Sequence, residues 1–98
     1  DLANLAANIT LEEDGETIKD IKVVMGSVYY KPLVSKAIPE LLKGKKLTDE
    51  LLVAIGKAAQ DEAKPISDVR ASAEYRREVV DTLARRVVKE AYEAAKEA

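Results

Sequence analysis

The dipeptide Asp14-Gly15 sits between two runs rich in aliphatic residues, and it constrains this chain more than any other feature. Aspartate followed by glycine in that setting signals a chain reversal, because glycine adopts the positive φ that a tight turn demands. Leu2, Leu5, Ile9 and Leu11 precede it with small residues between them, a pattern that suits a short helix or a strand. Thr17, Ile18, Ile21, Val23, Val24 and Met25 follow it. β-Branched side chains fit a pleated, half-buried surface, so residues 5–12 and 16–25 are expected to pair as an antiparallel hairpin. Gly26-Ser27 then interrupts the run. Lys31-Pro32 favours extended backbone ahead of the proline, which places a third short strand over residues 33–36.

From Ile38 the apolar spacing becomes helical. Pro39 is tolerated at a helix start, where its missing N–H would have had no partner, and Gly44 is a natural stop. Thr48 is the expected N-cap of a second helix, with Asp49 and Glu50 beside the positive pole of its dipole. Leu51, Leu52, Ile55, Ala58, Ala59 and Ala63 form its inward face. A third helix starts after Ser72. Its expected apolar stripe runs from Tyr75 through Val79, Val80, Leu83, Val87 and Val88 to Ala91 and Ala95, with Asp81 and Arg85 among the charged residues of the solvated side. Strands first and helices after them predict an α+β fold: a small antiparallel three-stranded sheet followed by three helices packed on one face. Residues 1–98 read as a single domain, without repeats, linkers or low-complexity segments.

Composition narrows the chemistry. A chain of 98 residues with 47% apolar residues closes one core that buries roughly 60–65% of the surface of its unfolded form. There is no cysteine and no histidine, so disulfides, thiolate nucleophiles, the usual zinc ligands and the side chain that titrates near neutral pH are all missing. An enzyme acting alone is not expected. The net charge is −2, with acids and bases mixed along the chain, and no polybasic block offers a footprint for nucleic acid. No apolar run is long enough to cross a bilayer and no signal-peptide layout opens the chain, so a soluble, cytoplasmic domain is expected. High charge content with few residues prone to deamidation or oxidation suggests a thermophilic source.

Several motifs have a plain structural reading. Gly26-Ser27-Val28 lacks the further glycines and the following helix of a phosphate-binding loop. Glu12, Glu13, Asp14 and Glu16 lack the alternating spacing of a calcium loop and suit a charged hairpin tip. Lys43, Lys45 and Lys46 surround the glycine at a helix end, where cations complement the negative pole. Tyr29 and Tyr30, adjacent on an extended segment, point to opposite faces, so only one could enter a given pocket. No metal site and no cofactor site is assigned within the domain.

Residues 65–80, PISDVRASAEYRREVV, resist so plain a reading. Asp68, Arg70, Tyr75, Arg76 and Arg77 crowd the start of the third helix, and Arg76 and Arg77 lie near the positive pole, an arrangement disfavoured by roughly 0.3–1 kcal/mol per charge. Carboxylate partners must offset that cost, either within the domain or on another domain or subunit. Arginine suits both uses. The same cations beside outward-pointing backbone N–H groups also fit a stand-alone module for a small anion, using Arg70, Arg76 and Arg77. An excised or engineered piece of a longer polypeptide is a third reading, since the chain opens at Asp1 without methionine.

The run Asp68-Val-Arg70-Ala-Ser72-Ala-Glu-Tyr75-Arg76-Arg77, preceded by GKKLTDELLVAIGKAAQDEA, resembles the C-terminal domain of the FAD-binding medium subunit of molybdenum hydroxylases. Carbon monoxide dehydrogenase and xanthine dehydrogenase belong to that group. Asp1-Leu2-Ala3, the hairpin, Met25-Gly26-Ser27-Val28 and Pro32 follow the same order, with Ser27 in place of a frequent second glycine. The resemblance implies a non-catalytic structural or interaction domain. FAD is then held by two preceding domains, and electrons pass from a molybdenum-cofactor subunit through an iron–sulfur subunit into that flavin. Asp68, Arg70, Tyr75, Arg76 and Arg77 become interface candidates, and a docking face freed of its partners implies weak homodimerisation of the isolated domain.

Overall fold

The computed structural model describes the backbone of residues 2–27, 31–63 and 73–97, and the side chains of residues 4–26, 31–63 and 79–97. Its elements follow the order β1 (Leu2–Leu11), β2 (Ile18–Ser27), β3 (Leu33–Val34), α1 (Ala37–Leu42), α2 (Asp49–Ala63) and α3 (Ala73–Glu97). The sheet is antiparallel in the order β1-β2-β3, so the described elements form the expected α+β arrangement of a three-stranded sheet followed by three helices.

The hairpin differs from a two-residue Asp-Gly turn. Residues 12–17 form a wider loop, closed by Glu12 N–H donating to the Thr17 carbonyl (2.7 Å) and Gly15 N–H donating to the Glu12 carbonyl (2.9 Å). Gly15 takes φ +74°, the left-handed region that glycine occupies without steric cost. A register shift follows, with Thr10 opposite Asp20 and Leu11 opposite Ile18. That irregularity has a purpose in packing. Ile18 and Ile21 are three residues apart and would point to opposite faces of a regular strand, but one extra residue between them brings both into the core. Both are buried.

Leu5 and Ile9 of β1 and Ile21, Val23 and Met25 of β2 point toward the helices, while Asn4, Ala6, Asn8 and Thr10 point to solvent. β2 continues through Gly26 to Ser27, past the expected break. Gly26 lies beneath the Asn4 side chain of the paired strand, where a Cβ would push the Asn4 amide aside. The third strand is two residues long instead of four, and Ser35 N–H extends it by donating to the Val23 carbonyl (2.8 Å).

α1 begins at Ala37, two residues before the proline expected to open it, so Pro39 occupies its third position. The proline costs no hydrogen bond there, because the first four helical N–H groups have no partner within the helix. Gly44, at φ +80°, reverses the chain and donates its N–H to the Ile18 carbonyl (2.8 Å), while Ile18 N–H donates to the Lys45 carbonyl (2.9 Å). Thr48 caps α2 as its sequence predicts, its hydroxyl accepting Leu51 N–H at 3.2 Å.

α3 is rotated from the stripe read in the sequence. Its deepest positions are Val80, Ala84, Val88 and Tyr92, whereas Val79 is 41% exposed. Asp81 and Arg85, expected on the solvated side, lie half-buried against α2. A Cβ on Gly56 of α2 would overlap the Asp81 carboxylate, so that carboxylate occupies the space a side chain at position 56 would take. The reason for the rotation is that α3 is flanked by both α2 and β1, which buries a wider arc than one apolar stripe.

Candidate interaction surface

The sequence-predicted candidates divide into two groups. Asp68 and Arg70, together with Ser72, lie outside the described residues. Tyr75, Arg76 and Arg77 lie in the opening turns of α3, where the backbone is helical and the side chains are outside the described set. The backbone of Arg76 and Arg77 occupies the fourth and fifth positions of that helix. The described residue next to them is Val79, four residues after Tyr75 and 41% exposed, so an apolar side chain at the start of α3 stands in solvent. Spacing alone misassigned it to the core, since Val79 and Val80 both fit a helical stripe and only the packing of α2 and β1 separates them.

The described charges serve mostly as clasps. Asp14 at the hairpin tip accepts N–H donors from Glu16 (2.9 Å) and Thr17 (2.8 Å) on Oδ1 and the Thr17 hydroxyl (2.6 Å) on Oδ2. The Thr17 hydroxyl first, then the two backbone donors, stabilise the carboxylate and lower its pKa from 3.8 to about 2. Lys46 reaches Glu16 at 3.1 Å, and that bond and charge raise its pKa above 10.5. Lys43 reaches Asp20 at 3.3 Å. Lys43 and Lys46, on either side of Gly44, therefore face carboxylates of the hairpin. The Tyr92 hydroxyl donates to the Glu16 carbonyl at 2.7 Å, and Lys96 lies 5.5 Å from the centre of the Tyr92 ring. The hydroxyl bond ties the hairpin to the last helix.

A second clasp has no sequence signature. Glu62, near the end of α2, accepts the hydroxyl of buried Ser35 on Oε1, and N–H donors from Lys36 (2.9 Å) and Ala37 (3.3 Å) on Oε2. Ser35 Oγ in turn accepts Ile38 N–H at 3.2 Å. The N–H groups of Lys36, Ala37 and Ile38 at the start of α1 are thereby satisfied, the first two by Glu62 from 26 and 25 residues away and the third by Ser35. On α3, Arg85 Nη2 donates to Asp81 Oδ2 at 3.0 Å, and its Nε lies 3.0 Å from Asp81 Oδ1 as a charge contact without a well-aligned N–H.

A flavin dinucleotide requires backbone donors that cradle its phosphates, normally in a glycine-rich turn leading into a helix. All four glycines are otherwise committed: Gly15 to the hairpin loop, Gly26 to the approach of Asn4, Gly44 to the end of α1 and Gly56 to the α2–α3 contact. The described residues do not fit such a cradle. Among them there is also no group of three acidic side chains placed to hold a metal ion, and no helix is long and apolar enough to cross a membrane.

Residues 1–91 match the family described as the CO dehydrogenase flavoprotein C-terminal domain. The chain is 39% identical over 89 residues to the glyceraldehyde dehydrogenase medium chain of Sulfolobus acidocaldarius, covering 91% of this chain and 31% of that protein. It resembles a carbon monoxide dehydrogenase from Hydrogenophaga pseudoflava that lacks the Mo-pyranopterin moiety of its molybdenum cofactor, with a TM-score of 0.74 and 25% identity over 90% of this chain and 30% of the other. Quinoline 2-oxidoreductase from Pseudomonas putida 86 shares the fold, with a TM-score of 0.73 at 19% identity over 94% of this chain and 32% of the other. This chain thus spans about a third of the length of each of these relatives. With residues 1–91 matched and a medium chain 39% identical, the chain belongs to the C-terminal domain family of carbon monoxide dehydrogenase-type flavoproteins, the medium subunits of molybdenum hydroxylases.

Proposed function

We propose that residues 1–98 form one non-catalytic domain of the FAD-binding medium subunit of a molybdenum hydroxylase acting on a substrate such as carbon monoxide, a xanthine or an aldehyde. The domain braces the flavin-binding part of that subunit and contributes to its contacts with the molybdenum-cofactor and iron–sulfur subunits. Electron transfer through FAD belongs to the whole enzyme, and no step of it is assigned to a residue of this chain. The family match over residues 1–91 carries the reading. The use of every glycine for a chain reversal or a close side-chain approach supports placing the flavin on other domains of the same polypeptide.

Asp68, Arg70, Tyr75, Arg76 and Arg77 are the proposed contact residues. The support is electrostatic: cations at the positive pole of α3 require acidic partners, and exposed Val79 beside them supplies an apolar centre for such a contact. The decisive experiment is to purify the natural polypeptide that carries this sequence and identify the cofactor released on denaturation. FAD is the expected result, and a flavin-free protein rejects the proposal. In the assembled enzyme, replacing Arg76 and Arg77 by alanine is expected to weaken co-elution with the other subunits while flavin content is retained. Unchanged co-elution would return both arginines to pairing within the domain.

A further inference from the structure

Among the described residues, β1 is a ten-residue edge strand, Leu2–Leu11, that pairs with β2 alone. Long edge strands are normally blunted by a charge, a proline or short length, because their unpaired N–H and C=O groups invite another strand. β1 reads LANLAANITL and has neither a charged residue nor a proline, in a chain of which 35% is charged. Its solvent-facing side chains, Asn4, Ala6, Asn8 and Thr10, are small and neutral. Both asparagines of the whole chain are among them.

We propose that this edge pairs antiparallel with the β1 edge of a second copy of the chain, about a two-fold axis at Ala7. Three observations select that occupant and register. The other edge of the sheet is β3, only two residues long, so head-to-tail pairing of β1 onto β3 has no adequate template and a closed, isologous dimer remains. Register shifts interrupt β1 between Leu2 and Asn4 and between Thr10 and Leu11, which leaves a regular stretch from Asn4 to Thr10 whose midpoint is Ala7. Pairing about that midpoint sets Leu5 opposite Ile9 on the core side, and Asn4 opposite Thr10 and Ala6 opposite Asn8 on the solvent side. Every pair is free of charge, and the smallest chiral side chain meets its own copy on the axis.

An edge of this length spans roughly 30 Å, a narrow strip that falls below the ~1,000 Å² of a stable interface. The association is therefore weak. The inference does not depend on the family assignment, and its failure leaves that assignment untouched.

Sedimentation equilibrium of the 98-residue chain tests it. The weight-average mass is expected to rise with loading concentration from 10.7 kDa toward twice that value. The double variant Ala6→Glu/Asn8→Glu opposes like charges across both symmetry-related pairs and is expected to loosen the dimer at least about tenfold. The double variant Ala6→Lys/Asn8→Lys behaves likewise, and an equimolar mixture of the two recovers the dimer as a heterodimer. A wild-type mass that stays monomeric at every concentration overturns the proposal. So does a dimer indifferent to both variants, or a mixture that fails to recover. Amide exchange on the unsubstituted chain gives a readout that does not depend on the variants folding: protection along residues 4–10 must increase with protein concentration, and unchanged protection rejects the edge contact.

Discussion

Asp14 and Glu62 are bonded in the same way and do different work. In each, one carboxylate oxygen accepts a hydroxyl and the other accepts two consecutive backbone N–H groups. All partners of Asp14 lie within three residues of it, so the bonds close no long loop and shape only the hairpin tip. The partners of Glu62 lie 25 to 27 residues away, so its bonds join the start of α1 to the end of α2 and restrain the whole segment between them. Identical chemistry is thus local ornament in one place and a tertiary joint in the other, because the entropy lost on closing the loop sets how much structure depends on the contact.

Glu62→Ala is the sharpest way to break that contrast. It leaves the buried Ser35 hydroxyl and two backbone donors without their acceptor, and is expected to lower unfolding free energy by about 2 kcal/mol in urea titrations. Amide exchange should accelerate along α1, and a cycle with Ser35→Ala should show strong coupling. A loss confined to the last turn of α2 would contradict the joint. Tyr92→Phe removes only the hydroxyl bond to the Glu16 carbonyl and is expected to cost about 1 kcal/mol, with faster exchange at the hairpin tip. This change asks whether the tip is held from α3 as well as by Asp14.

Asp14→Ala should cost less than either and accelerate exchange at Glu16 and Thr17 without affecting α1. An effect equal to that of Glu62→Ala would erase the distinction between the two carboxylates. The smallest effect is its dependence on pH. Because the Asp14 pKa falls from 3.8 to about 2 on folding, its stabilisation is fully present above 3.8 and is lost as pH falls through about 2. The stability difference between the wild type and Asp14→Asn should shrink over that window, and carboxyl chemical shifts across an acid titration would report the folded pKa directly.

The element order was legible because its signals are short-range. Asp14-Gly15 marks a reversal, Thr48 a cap, Gly44 a stop, and the change from β-branched runs to helical spacing separates sheet from helices. Three features were not legible. The offset that returns Ile18 and Ile21 to one face depends on the register with β1. Burial of Asp81 and Arg85 depends on Gly56 of a different helix. The Ser35–Glu62 bond requires α1 and α2 to be packed before it can form. For the candidate surface, the sequence proposed Asp68, Arg70, Tyr75, Arg76 and Arg77 as contact residues, while exposed Val79 was hidden by its neighbour Val80, which the same periodicity fits equally well.

By itself, the sequence determined an α+β order of three strands and three helices, the family to which it belongs, and the lack of the residue types used by most small enzymes. Turns, caps and periodicity act over a few residues, and absences of cysteine and histidine hold in any conformation. Only the tertiary structure decided which arc of α3 is buried, which carboxylate joins distant elements, and which strand is left as an uncharged edge. Those outcomes depend on which surfaces meet across long stretches of chain, where packing overrides local preference.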